Sequence, residues 1–506
     1  MADPKVLTTG TAPIAIGTII WLAVKPLIRL LICLLSGIIL TKRDLFPAAA
    51  ARTIGQIIIN VCFPFLLFSK IVPAFDSSNI HFIGPLALVA VLYHVIGIAI
   101  AWSIKQFCWV PHRFRYGFLA AGAWSNIGDI PTAVLLGLTS SPPFNSSTDP
   151  NTAIAYLSVF LIVFNITVFS CGGHKLVLMD FQGPDLDAEQ DRALTQIRRR
   201  HIFRRLCDLR GTVPLGTVKP DPEHVHRNSD PVSSTDDQEK FEADHRVPVP
   251  AEITEVRADS PTPTIIDIVV DSKHEKHTND CAVPTPSRIT KLTSFLDHVF
   301  KSLLSPPSLS ILIAIPISIV VPLKALFLPV NQQNIVIPTL PDGQPPLSFL
   351  LDAAQFIGSA AVPLGLICLG SALARLHLPA PPNASLSPSS SSPSRSARFF
   401  NSLKGLPLTS ITLLALSKLI LVPIFGMLIV QSLVSHNIIP KDDKVLRLVC
   451  LICACLPTST TQVYLTQVYS GTGQVEWLGA YLVPQYVLMV LTMTVYIGLV
   501  LKMLFG

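Results

Sequence analysis

Two stretches decide how this chain folds: Gly122-Ala123-Trp124-Ser125-Asn126-Ile127-Gly128-Asp129-Ile130-Pro131 and Cys455-Leu456-Pro457-Thr458-Ser459-Thr460-Thr461-Gln462. Each lies inside a longer apolar run. Each places polar or helix-breaking residues where a membrane-spanning helix would have its middle. Proline removes a backbone donor and clashes with the preceding turn. In hydrocarbon the freed backbone groups must be satisfied by protein or face a water-filled cavity. Two ordinary proline kinks are the plainer alternative. The unbroken polar or helix-breaking run from Pro457 to Gln462 is more than a kink requires.

The surroundings of these stretches are unusually poor in charge. Only 14% of the 506 residues are charged, against about 25% in a soluble chain. Residues 181–300 hold 37 of the 70 Asp, Glu, Lys and Arg, so the rest of the chain is poorer still. That excludes an ordinary soluble globular protein, and the recurrence of apolar runs excludes a single-span receptor. A span needs roughly 20 apolar residues. Spans are expected near 17–40, 51–72, 82–104, 117–138 and 152–171, then near 308–329, 347–374, 406–432, 446–468 and 477–501. The two broken stretches fall in the fourth and ninth spans, at matching places in two groups of five. The fold class expected is therefore an all-α polytopic membrane protein, with ten transmembrane helices as a 5+5 inverted repeat whose broken helices cross at the midplane.

The expected organisation is a first five-helix repeat over 1–180 and a second over 306–506, separated by an insertion. The insertion, 181–290, is rich in Pro, Asp, Ser and His and reads as mostly disordered. Over 291–305, Leu292, Phe295, Leu296, Val299, Phe300, Leu303 and Leu304 recur on one helical face, as in an amphipathic surface helix. The Pro- and Ser-rich stretch 379–397 reads as a second disordered loop. The first apolar run is too long for a signal peptide, so no cleavage is expected.

Lys and Arg in short loops set orientation. Lys42, Arg43 and Arg52, then Lys105, Arg113 and Arg115, then Lys175 with Arg198 to Arg200, then Arg375, Arg395, Arg398 and Lys404 all fall on one side, which should be the cytosol. Residues 139–151 and 330–346 on the other side hold no Lys or Arg, although Lys441, Lys444 and Arg447 break the rule. Both termini should then face the exterior or a lumen, and the insertion the cytosol. Asn145-Ser146-Ser147 becomes a usable glycosylation sequon. Asn383-Ala384-Ser385 lies inside and Asn165-Ile166-Thr167 lies within a span.

Several classes of function find no support. No basic run carries interleaved aromatics, so no nucleic-acid partner is expected. Cys450, Cys453 and Cys455 lack flanking His or acidic ligands, so no metal site is expected. No nucleophile–base arrangement or phosphate loop points to an enzyme or a cofactor.

The broken spans, with Phe63-Pro64-Phe65-Leu66-Leu67-Phe68-Ser69, Leu303-Leu304-Ser305-Pro306-Pro307-Ser308-Leu309 and Thr466-Gln467-Val468-Tyr469, resemble the auxin efflux carrier family, which includes PIN-FORMED and PIN-LIKES proteins and fungal relatives. Ser125 to Pro131 resembles the Gly-Asn-x-Gly-Asn-x-Pro of the PIN-LIKES branch. The motifs lie in the right order on the right spans, in both helical groups and not in the insertion. The resemblance implies a scaffold of spans 1, 2, 6 and 7, a mobile unit of spans 3–5 and 8–10, and elevator-like alternating access. It also implies a weak-acid anion held at the crossing and residence in the endoplasmic reticulum membrane. This chain departs from the family with Asp129 in place of the second Asn and with Thr461, followed by Gln462, in place of an Asn.

The residues expected to bind the solute are Ser125, Asn126, Asp129, Thr460, Thr461 and Gln462, with Gly128, Pro131 and Pro457 holding the breaks. Half-helix N-termini would favour the anion. An ionisable group inside a span is a functional candidate by default. Lys418 either attracts substrate, pairs with Asp129, or is a structural cation held by carbonyls; a lone, titrating Asp129 is the reading preferred over that pair. His94 reads as packed and hydrogen-bonded. Lys25 snorkels, and Arg29 pairs with protein, with a homodimer contact as one outcome. The function expected is a carrier for a small organic, weakly acidic solute. The alternatives are a proton-coupled exchanger using Asp129, and a non-transporting membrane regulator whose insertion binds cytosolic partners.

Overall fold

The computed structural model describes residues 16–75, 79–186, 188–209, 303–330, 337–375, 406–472 and 477–505. The loop 379–397, Asn383, the insertion beyond residue 209 and most of 291–305 fall outside these residues. Among the described residues there is no β-strand; the only extended pairing is an isolated antiparallel bridge between Ser125 and Thr458.

The first half of the chain forms α1 (Ile16–Lys42), α2 (Ala48–Ile71), α3 (Ile80–Phe107), α4 (Gly117–Ala123), α5 (Asp129–Thr139), α6 (Asp149–Ser170) and α7 (His174–Met179). Next comes α8 (Ala188–Leu209), a polar helix at the root of the insertion that the hydrophobic pattern did not single out. The second half forms α9 (Pro306–Ile319), α10 (Val321–Ala325), α11 (Ser348–Ala374), α12 (Leu408–Ser435), α13 (Lys444–Ala454), α14 (Thr461–Tyr469) and α15 (Leu478–Phe505). Six of these, α2, α3, α6, α11, α12 and α15, are long and apolar enough to cross a membrane.

The apolar residues face outward as well as inward, as a lipid solvent requires. On α15, Val483, Val487, Leu491, Val495 and Leu499 are exposed at every fourth position, while Tyr481, Gln485, Met489, Met493 and Tyr496 are buried on the opposite face. Without a hydrophobic force between helices in lipid, close backbone approach at small residues holds them together. Gly37 on α1 meets the Ile367 carbonyl of α11, and Gly370 of α11 meets the Leu34 carbonyl of α1; a Cβ at either would collide with backbone. α2 packs against α9 and α11, whereas α3 packs against α4 and α6, and α12 against α13 and α15.

Proline shapes several helices away from the crossing. A widened π turn precedes Pro64 in α2, at Ile58–Cys62. Another precedes Pro423 in α12, at Ser417–Leu421. Pro423 cannot donate to the Leu419 carbonyl, and the Cys455 thiol approaches that oxygen instead at 3.8 Å. The sixth expected span is also interrupted: Val320 adopts an extended backbone between α9 and α10, ahead of Pro322. Lys324 of α10 then turns to the end of α2, donating to the Phe75 and Pro73 carbonyls at 2.6 and 3.2 Å.

Candidate functional site

The two broken stretches meet. Residues 124–128, between α4 and α5, run antiparallel to residues 455–460, between α13 and α14. The Asn126 amide donates to the Pro457 carbonyl at 2.8 Å, and the Ser459 amide donates to the Trp124 carbonyl at 3.0 Å. Extended backbone inside a membrane protein is thereby satisfied by other extended backbone, which is the condition for its existence there.

At two of the broken ends, backbone groups find identified partners. At the C-terminus of α4, the Ala120 carbonyl accepts from the Trp124 amide. The Ala121 carbonyl accepts from Thr458 Oγ1 at 2.8 Å. The Gly122 carbonyl accepts from Lys418 Nζ at 3.0 Å. At the N-terminus of α14, the Thr461 amide donates to Ser459 Oγ at 3.1 Å, and the Gln462 and Val463 amides donate to the Ser459 and Thr460 carbonyls. The positive end of α14 is thus already occupied in this conformation. Pro131 lies in the first turn of α5, where its missing donor is not needed.

Lys418 is the only charged side chain among the described residues that the breaks bring to the crossing. It is 2% exposed, and its second bond runs to Ser125 Oγ at 2.8 Å. It leaves α12 at the π turn. Its described partners are therefore a carbonyl and a hydroxyl. Asp129 opens α5, and its side chain lies outside the described part of the structure. Asn126, buried, donates from Nδ2 to the Tyr486 hydroxyl at 3.1 Å, and that hydroxyl donates to the Thr458 carbonyl at 3.3 Å. Gln485 Oε1 accepts from the Thr458 amide at 2.9 Å and lies 3.0 Å from its hydroxyl, whose single proton is shared between this oxygen and the Ala121 carbonyl.

Gln462 points elsewhere. Its Nε2 donates to the Gly117 carbonyl at 2.6 Å, at the opposite end of α4 from Asn126. Its Oε1 is buried without a hydrogen-bond partner among the described residues. Thr461 Oγ1 accepts from the Tyr464 hydroxyl at 2.8 Å. A cavity beside Gln462, lined also by Trp124, His174, Ser459 and Thr461, measures about 10 Å³, room for about one water. A larger cavity of about 340 Å³ lies farther along α14, lined by Arg113, Asp185, Thr466, Tyr469 and Trp477 among others.

The structure brings Ser125, Asn126, Thr458 and Lys418 together and sets Gln462 apart from them. Thr458, Gln485 and Tyr486 were not expected to take part; Thr458 lies in the polar run of the second break, and a Gln within the apolar α15 was the signal available for that helix. His94 is not hydrogen-bonded as expected: both ring nitrogens are buried without partners among the described residues. Lys25 and Arg29 are exposed on α1.

A family described as membrane transport protein matches residues 22–497, spanning both halves and the crossing. The chain belongs to this family, that of the auxin efflux carriers. Among relatives of this carrier family, Protein ECM3 of Saccharomyces cerevisiae is 22% identical, over 97% of this chain and 99% of the relative. A second protein of that yeast, described as an uncharacterized transporter, is 23% identical over the same shares. Protein PIN-LIKES 2 of Arabidopsis thaliana is 22% identical over 95% of this chain and 94% of the relative. The chain is thus similar end to end to membrane transporters of the auxin efflux carrier family.

Proposed function

We propose that this chain is a carrier that moves a small organic weak acid as its anion, by elevator-type alternating access, with the solute's polar end held at the crossing. The observation that carries this reading is the buried Lys418 ammonium, aimed at the break, whose described partners are the Gly122 carbonyl and the Ser125 hydroxyl. A cation buried in this way is costly unless a negative group joins it. Asn126 and Thr461 lie on either side of the same crossing.

The architecture in this reading is ten spans as a 5+5 inverted repeat. The six long apolar helices supply six spans, and α1, the pairs α4–α5 and α13–α14, and the interrupted α9–α10 supply the others. The scaffold would comprise α1, α2, α9, α10 and α11. The moving unit would comprise α3 to α7 and α12 to α15. The packing of α1 and α2 on α11 supports that division. The crossing leaves little free space in this conformation, so solute entry requires the two units to shift. Endoplasmic reticulum residence and luminal termini belong to the same proposal, on the family resemblance and the Lys/Arg pattern.

The test is uptake of radiolabelled indole-3-acetate and benzoate into proteoliposomes. Saturable uptake is expected, reduced at least ten-fold in Asn126→Ala with the protein still folded. Absence of saturable flux for a panel of monocarboxylates, from folded protein, would leave the non-transporting regulator as the better reading. Unchanged uptake in folded Asn126→Ala would move the solute away from this crossing.

A further inference from the structure

The root of the insertion folds back along the connector that leads into α4. Three carboxylates grip that connector in antiparallel order. Asp180 accepts from the Tyr116 amide at 2.8 Å and from the Gly117 amide at 2.5 Å. Its own carbonyl accepts from Arg113 Nη1 at 3.3 Å. Asp185 lies 3.3 Å from His112 Nδ1 and 3.3 Å from Arg113 Nε. Arg115 donates to His112 Nε2, so the ring proton sits on Nδ1 and faces Asp185. Asp191, on α8, accepts from Trp109 Nε1 at 3.0 Å, and the Arg192 guanidinium stacks 4.2 Å over the same indole.

Asp180 carries the most weight of the three. It is 2% exposed, whereas the Asp185 side chain is 57% exposed and its ion pairs are screened by water. The residue preceding α4, Tyr116, makes no side-chain cap. The first orphan donor of the helix, the Gly117 amide, is met instead by a carboxylate 63 residues later in the chain. α4 has only seven residues, too few to hold its own position without tertiary contacts. Gly117 is held on both sides, its amide by Asp180 and its carbonyl by Gln462 of α14. A Cβ at Gly117 would lie 2.8 Å from Asp180 Oδ2, so a larger residue there would push the carboxylate aside. The far end of α4 is the crossing itself.

We propose that Asp180, Asp185 and Asp191 form a clamp through which the root of the insertion sets the position of α4, with Asp180 as the positioning residue. Displacing the insertion root then shifts the broken helix, and with it the crossing. The clamp does not depend on which solute is carried, or on whether one is carried.

The test is hydrogen–deuterium exchange on the purified full-length chain in nanodiscs, for Asp180→Ala and Asp180→Asn. Asp180→Ala should raise exchange about ten-fold or more at the amides of 116–121, and also at Asn126 and Ser459 across the crossing. α12 and α15 should be unchanged. Asp180→Asn, which keeps one acceptor, should raise it less. Asp185→Asn and Asp191→Asn should give changes of a few-fold. A rise confined to the start of α4 would show a local cap only and overturn the positioning role. No rise at all would overturn the clamp. If Asp180→Ala does not fold, Asp180→Asn decides by the same two readouts.

Discussion

Lys418 donates to Ser125 Oγ at 2.8 Å, across 293 residues of sequence. The bond ties the π turn of α12 to the extended backbone between α4 and α5. The same ammonium closes the last turn of α4 through the Gly122 carbonyl. A single side chain thus closes one carbonyl that the broken helix leaves open and places a positive charge at the crossing.

Lys418 has two roles that substitution can separate. Lys418→Gln keeps a donor and removes the charge. It should leave thermal stability within about 1 kcal/mol and reduce anion uptake at least ten-fold. Lys418→Met leaves a buried carbonyl unpaired and should cost roughly 1–3 kcal/mol. Thermal unfolding and proteoliposome uptake measured on both variants check this. Full uptake by folded Lys418→Gln would assign the residue to structure alone.

Thr458 is fully buried, and its hydroxyl closes the Ala121 carbonyl. Thr458→Val is close to isosteric and should lower stability by roughly 1–3 kcal/mol through that unpaired acceptor. Thr458→Ser should recover most of the loss. Melting curves of the two variants suffice, and equal melting for Val and Ser would remove the hydroxyl from the account.

Asp129 distinguishes a proton-linked carrier from a simple anion carrier. In the proton-linked reading Asp129 acts alone rather than paired with Lys418. Uptake measured from pH 5 to 8 should then be steeply pH-dependent in the wild type and flatter in Asp129→Asn. Two profiles of equal slope would eliminate the proton-linked alternative.

Asp180 should titrate near neutrality. Burial pushes its carboxyl up to about 7, against the two amide bonds and the nearby charges of Lys105 and Arg115. Arg113 on the connector donates to its carbonyl, and Asp191 and Arg198 on α8 act in turn on Lys105. Because the folded value is raised, the folded protein binds the extra proton. The stabilisation is complete below about pH 4, is lost as pH rises towards 7, and levels off above that. Wild type should lose up to roughly 1.4 kcal/mol per pH unit relative to Asp180→Asn within that window. Parallel stability curves for the two proteins would contradict this assignment.

Asn145 is exposed, and its Oδ1 accepts from the amide and hydroxyl of Ser147, the third residue of its sequon. With the proposed orientation it carries a glycan. Expression in a eukaryotic host should give a mobility shift on glycan removal, abolished in Asn145→Gln. A shift that survives the substitution would reverse the topology.

The sequence by itself determined that the chain is all-helical and apolar enough for membrane-spanning helices, and where its two main breaks fall. Both follow from local rules. Lipid forces each backbone to satisfy itself over about 20 residues, and Pro131 and Pro457 with their polar neighbours announce where it cannot. The extra break at Val320 was less legible, because Pro316 and Pro322 sit in an otherwise unbroken apolar run. The tertiary structure alone decided which groups answer the broken ends. Thr458 meets Ala121, Lys418 meets Gly122, Gln462 turns to Gly117, and Asp180 caps α4 from 63 residues away. A freed carbonyl or amide requires a partner, but any donor or acceptor of suitable reach can supply it. That choice is made by three-dimensional proximity, which no local pattern of residues encodes.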